Sequence, residues 1–157
     1  MTVCTGNICR SPMGEYLIQQ AAREAGLNVE VTSSGISGEE EGKPIDRRAA
    51  KVLKELNINT SEHRAQQFSR SDFASNDLLL AMDLNHYRAL KRLATHEEDA
   101  SKVRLMREFD PAVKDQAIEK LGIYDPWYGD QHDFYQTFKM IRDAVPGVLE
   151  YVARGSK

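Results

Sequence analysis

Near the start of the chain, Cys4-Thr5-Gly6-Asn7-Ile8-Cys9-Arg10-Ser11 combines a soft nucleophile, a glycine, a planar cation and a hydroxyl. The spacing suits capture of a phosphoryl group. A phosphoryl dianion needs several donors converging on three oxygens, and a tight loop of backbone N–H groups ending at a helix N-terminus supplies them. Residues 4–11 therefore read as a phosphate-binding loop. Gly6 is expected to take positive φ, and Asn7 tolerates the same region while its amide ties the loop together. Arg10 presents a fork that grips two oxygens at once, which lysine cannot reproduce. The same donors stabilise a thiolate, so Cys4 is the candidate nucleophile, and Ser11 can donate to the sulfur when it leaves. The ordinary reading of Cys4, a small buried hydrophobe at a strand end, leaves Arg10 unexplained. A cation in the first turn of a helix is disfavoured unless an anion is present.

Breaking a phosphate ester also needs an acid, because an alkoxide or phenoxide leaves poorly. Asp125-Pro126-Trp127-Tyr128-Gly129-Asp130 offers Asp125 in a loop that follows the last strand. In isolation an aspartate before proline is a turn residue; placed at the strands' carboxyl edge, it can reach the phosphate loop.

The elements that must position these residues follow from apolar periodicity. Residues 12–25 read as a helix stopped by Gly26, 29–32 as a strand, and 46–56 as a helix after Pro44. Ser69 and Asp72 form a capping-box pattern before a short helix ending at Ala74. The apolar run 78–82 suits a buried parallel strand, 83–93 a helix and 103–106 a strand. Phe134, Phe138, Ile141, Val145, Val148 and Val152 define a long amphipathic helix, which Pro146 is expected to kink. Strands alternating with helices imply an α/β fold, a parallel sheet covered on both faces, with ligands at the strands' carboxyl ends. Cys4 lies at such an end. With 157 residues, 41% hydrophobic, the chain is expected to form one domain spanning 1–157. No run approaches membrane-spanning length and no signal peptide is evident, which points to the cytoplasm. Two cysteines give no disulfide framework and poor zinc spacing, and a charge of −3 with interspersed signs gives no nucleic-acid surface.

The segment V-C-T-G-N-I-C-R-S-P together with D-P-W-Y-G resembles the low-molecular-weight protein tyrosine phosphatases. Ser33-Ser34-Gly35, Gly42-Lys43-Pro44-Ile45-Asp46 and Ala81-Met82-Asp83 look like further family segments in the family order. The resemblance covers nearly the whole chain. It implies a three-layer domain with a four-stranded parallel sheet, a phosphocysteine on Cys4, phosphate binding by the loop and Arg10, and Asp125 as general acid. It further implies a hydrogen-bond network of Asn7, Ser11, Ser33 and His63 behind the loop, with no metal or organic cofactor. His63 alone would pass as a surface histidine. Trp127 and Tyr128 look like the family's wall for a substrate ring, although Trp127 reads almost as well as a packing residue. Ile8 matches the tyrosine-directed members, where arginine-phosphate-directed relatives carry threonine, so the implied partner is a phosphotyrosine protein or peptide.

The chain departs from the family pattern in three places. Only Met1, Thr2 and Val3 precede the nucleophile. Glu39 stands at the pocket rim where relatives commonly have an aromatic residue, while Glu40 and Glu41 read as solvated surface. Gln66 replaces a frequent arginine. Arsenate reductases share this loop but need further cysteines, and none follows Cys9. A binding module without turnover would have no use for Asp125. A redox response of Cys4 and Cys9 is compatible with phosphatase chemistry.

Overall fold

The computed structural model describes residues 1–155. Its centre is a four-stranded sheet in the order β2-β1-β3-β4, every neighbouring pair parallel. The strands are β1 (Thr2–Cys4), β2 (Ser33–Gly35), β3 (Leu79–Ala81) and β4 (Val103–Leu105). The helices are α1 (Arg10–Glu24), α2 (Arg47–Lys54), α3 (Ser71–Ser75), α4 (Leu84–Leu93), α5 (Glu97–Ser101) and α6 (Gln131–Gly155). Because the next two strands lie on opposite sides of β1, the strand order reverses there, and a crevice opens at its carboxyl end. Cys4 is the last residue of β1 and pairs with Gly35 of β2.

The run 78–82 is continuously apolar because both faces of the sheet are covered. Leu78, Leu80 and Met82 join Met13, Leu17, Leu53, Phe134 and Ile141 in one core, whereas Leu79 and Ala81 join Phe73 and Leu90 in the other. Each fully buried Leu, Ile, Met or Phe among them contributes roughly 1.5–3 kcal/mol. Helices α1, α2 and α6 thus seal one face and α3 and α4 the other. This is the expected α/β architecture.

Several boundaries differ from the sequence reading. The second strand is Ser33–Gly35, not 29–32, since the register sets Thr2 opposite Ser33 and leaves 29–31 outside the ladder with β1. Val31 is buried there by packing alone. Helix α1 starts at Arg10 and ends as expected. Gly26 has φ of 68°, its N–H bonds to the Arg23 carbonyl and that of Leu27 to the Ala22 carbonyl, a Schellman closure. Asp72 accepts from the Ser69 N–H, one half of the expected capping box, while the Ser69 hydroxyl meets Ser71 instead. Helix α5 was not foreseen: Glu-Glu-Asp-Ala-Ser buries no residue and carries no apolar period. Helix α6 runs through Pro146, which lies on its exposed side. Among the described residues, no helix is long and apolar enough to cross a membrane.

Candidate active site

The chain leaves β1 at Cys4 and enters α1 at Arg10, so residues 5–9 form a short loop over the sheet's carboxyl edge. Asn7, not Gly6, takes the left-handed conformation, with φ of 59°. An asparagine tolerates that region at little strain, and its side chain is then fully buried. Gly6 has no positive φ, and a Cβ there would lie a tight 3.0 Å from Glu40 Cγ, so a larger residue would push the Glu40 side chain aside. The loop also presses on β2, where a Cβ on Gly35 would meet the Thr5 carbonyl at 2.7 Å. Only glycine admits that approach.

Asn7 is the hub of the support network. Its Nδ2 donates to Ser11 Oγ at 2.8 Å and to Ser33 Oγ at 2.9 Å, and its Oδ1 accepts from the Gln66 N–H at 3.0 Å. His63 Nε2 lies 2.8 Å from the Asn7 carbonyl, an acceptor, so that nitrogen carries the proton. The structure thus joins Asn7, Ser11, Ser33 and His63, and it adds two members. Glu15 accepts from the Ser33 hydroxyl and faces His63 Nδ1 at 4.0 Å. Gln66, in the arginine position, also donates from Nε2 to the Ser33 carbonyl at 2.9 Å. Ser11 Oγ lies 3.0 Å from Cys4 Sγ; it accepts from Asn7 Nδ2, and its one hydrogen has two acceptors in reach, the sulfur and the Ser34 carbonyl at 3.3 Å. Burial pushes the Cys9 thiol well up, with the Asp46 carboxylate adding to the effect, so Cys9 stays a thiol.

Arg10 is almost wholly buried. Its Nη1 donates to Asp83 Oδ2 at 2.7 Å and to the Ile123 carbonyl at 3.0 Å, while Nη2 stands 3.4 Å from Asp125 Oδ2. Asp83 also caps α4 through the N–H groups of Asn85 and His86. The Asp83 N–H donates to His86 Nδ1 at 3.1 Å, so in neutral His86 the proton sits on Nε2 and is donated to Thr5 Oγ1 at 2.8 Å. Burial lowers His86 to about 4, Asp83 opposing and Arg10 adding, with Asp125 a further acidic neighbour. A base held below its ordinary 6.5 stabilises the fold fully above pH 6.5 and loses that contribution as pH falls towards 4, on the order of 1.4 kcal/mol per pH unit at most. His86→Gln, which keeps a donor for Thr5, is expected to flatten the loss of urea stability over this window. An unchanged slope would place the titration elsewhere.

Asp125 stands in the loop that leads into α6, half exposed, its Oδ1 accepting from the Trp127 N–H at 3.1 Å. Cys4, Thr5, Gly6, Ile8, Cys9 and Arg10 line an open cleft of about 240 Å³ with Asp125 on one side. Trp127, 40% exposed, and Tyr128, 95% exposed, stand at its mouth with Glu39. Glu40, read as solvated surface, also lines the cleft: its stem covers Gly6 and its carboxylate pairs with Lys43 at 2.7 Å. Glu41 is exposed as expected. Among the described residues, no cluster of His, Cys, Asp and Glu side chains could hold a metal ion.

Sequence reasoning therefore missed Glu15 and His86, noted Gln66 only as standing where relatives often carry arginine, and noted Asp83 only as the end of a family-like segment, giving neither a role in the site.

A crevice at the carboxyl end of β1, lined by a buried cysteine and a buried arginine with a carboxylate 3.4 Å from the arginine, suits a cysteine-dependent phosphate-ester chemistry. All 157 residues match the family model described as low molecular weight phosphotyrosine protein phosphatase, and the chain belongs to that family. A low molecular weight protein-tyrosine-phosphatase of Streptomyces coelicolor is 44% identical, covering 96% of this chain and 90% of that protein. A low molecular weight protein-tyrosine phosphatase A of Mycobacterium bovis is 43% identical, over 96% and 88%. The crystal structure of a protein tyrosine phosphatase from Entamoeba histolytica, with Hepes in its active site, superposes with a TM-score of 0.86 at 26% identity, over 99% of this chain and 97% of that one.

Proposed function

We propose that the whole chain, residues 1–157, acts as one catalytic domain that hydrolyses phosphotyrosine in proteins or peptides through a phosphocysteine on Cys4. Cys4 Sγ attacks phosphorus, the S–P bond forms, and the ester P–O bond breaks as Asp125 delivers a proton to the departing phenolate oxygen. Water then attacks phosphorus, the Asp125 carboxylate takes its proton, and the S–P bond breaks with Ser11 donating to the released sulfur. The loop N–H groups of residues 5–11 and the Arg10 edge not bound to Asp83 hold the three equatorial oxygens. The observation that carries the reading is Cys4 Sγ at 3.0 Å from Ser11 Oγ in a cleft where Asp125 stands 3.4 Å from Arg10.

The phenol preference rests on Ile8, Trp127 and Tyr128 at the mouth. Glu39 cannot cover a ring face as an aromatic residue would, a contact worth roughly 0.5–1.5 kcal/mol. A panel of phosphotyrosine, phosphoserine and phosphoarginine peptides at pH 5 to 8 tests class and preference together. Turnover is expected for phosphotyrosine well ahead of the others, and a preference for either of the others would contradict the reading. The same reading takes the cytoplasm as the working compartment and proteins, not nucleic acids, as partners. It also takes Cys4 as redox-sensitive: peroxide gives a sulfenic acid that condenses with the Cys9 thiol, releasing water. Recovery of peroxide-treated enzyme under dithiothreitol, lost in Cys9→Ser, is the check.

A further inference from the structure

Asp125 makes few contacts of its own, so something else must hold its loop over the cleft; Thr137 of α6 donates to the Tyr124 carbonyl at 2.7 Å before it, and α2 grips the residues after it. Arg48 Nη1 donates to the Gly129 carbonyl at 2.8 Å and Nη2 to the Trp127 carbonyl at 3.2 Å. Its guanidinium lies 4.4 Å from the Phe134 ring centre and 5.7 Å from that of Trp127. In return, Gln131 Nε2 donates to the Arg48 carbonyl at 3.1 Å. Residues 127–134 are therefore tied to one side chain on both flanks of the turn that follows Asp125.

Arg48 is itself fixed from the other direction. Asp46 takes its Nε at 3.1 Å and Nη2 at 3.0 Å, a two-point carboxylate fork, while capping α2 through the Arg48 N–H at 2.8 Å. The Asp46 N–H in turn donates to the Ile8 carbonyl of the phosphate loop at 2.8 Å. A continuous strap thus runs from the phosphate loop through Asp46 and Arg48 to the carbonyls of the acid loop. Its geometry needs a planar, multidonor cation: the same guanidinium meets a carboxylate and two carbonyls pointing from different residues, and an ammonium has too few donors in the wrong directions.

We infer that Arg48 is a positioning residue for the general acid, registering the Asp125 loop against the phosphate loop so that the Asp125 carboxyl stands at the leaving oxygen. Arg48 touches neither phosphate nor leaving group; it acts through the loop. The inference rests on the reading of Asp125 as the acid. Displacing a catalytic group by about 1 Å costs up to ~10²-fold, so the strap is a sensitive point of the site.

The experiment measures kcat/KM of Arg48→Gln, Arg48→Lys and Asp125→Asn on aryl phosphates running from phenyl phosphate to p-nitrophenyl phosphate, with inhibition by inorganic phosphate and thermal melts alongside. For Arg48→Gln we expect a loss of about 10- to 100-fold on phenyl phosphate and under about threefold on p-nitrophenyl phosphate, with phosphate inhibition unchanged. Arg48→Lys should fall between Gln and the parent. The double variant with Asp125→Asn should lose little beyond Asp125→Asn alone, because both act on one proton transfer. A uniform loss across the series, or a loss that tracks phosphate binding, would overturn the positioning role and leave Arg48 as scaffold. So would a flat Arg48→Gln profile beside a steep Asp125→Asn one. A flat Asp125→Asn profile would instead overturn the reading of the acid.

Discussion

Cys4→Ser is expected to abolish turnover of phosphotyrosine substrates, by at least about 10⁴-fold, the scale on which enzymes suffer when a covalent nucleophile is removed, while inorganic phosphate binding is expected to persist. The substitution is nearly isosteric, and the loop's shape is set chiefly by Asn7, through its bonds to Ser11, Ser33 and Gln66 and the His63 contact to its carbonyl. The side-chain contact of Cys4 is Ser11 Oγ, which is no base. A thiol gives up its proton far more readily than a hydroxyl, and a serine hydroxyl there has nothing to take its proton. Turnover near the parent rate would contradict the nucleophile, and loss of phosphate binding would show that the loop itself had collapsed.

Asp125→Asn is expected to lower kcat/KM for phenyl phosphate by about 10²–10³-fold and for p-nitrophenyl phosphate by less than about tenfold, because a nitrophenolate leaves without help and a phenolate does not. Asparagine keeps the Asx contact to the Trp127 N–H, so the loop keeps its course and only the transferable proton is lost. Arg10 bears on the same result. Its buried guanidinium is anchored by Asp83 at 2.7 Å, so removal of charge at Asp125, 3.4 Å away and half exposed, does not free it to move. Equal losses along the leaving-group series would rule Asp125 out as the acid.

The nucleophile, the arginine and the hydroxyl were legible because they lie within eight consecutive residues, where loop and helix geometry alone dictate what each can reach. The parallel sheet with helices on both faces was legible as well, since 78–82 can be apolar throughout only with both faces covered, whereas the strand order was not. The supports were not. Arg48 meets Gly129 across 81 positions, Arg10 meets Asp83 across 73 and Thr5 meets His86 across 81, and no local pattern encodes such pairings. Asp46 was visible as a helix start, but not its second role as the carboxylate behind Arg48. Gly6 was assigned a positive φ that Asn7 adopts, because composition shows which residues tolerate a conformation and not which of two neighbours the closed loop will bend. The strand at 29–32 was misplaced for another reason: β-propensity favours Val29 and Val31, whereas pairing with β1 selects the serines that follow. Glu40 was read as surface because its charge was visible and the bare Gly6 beneath its stem was not.

The most direct measurement is rapid acid quench of the enzyme during turnover of a phosphotyrosine peptide, followed by mass spectrometry of the Cys4 peptide. A phosphoryl group on Cys4 Sγ, formed at least as fast as overall turnover and absent from Cys4→Ser, is the result expected. Turnover with no phosphoryl group on Cys4 within that time, or with the group on another residue, would contradict the account.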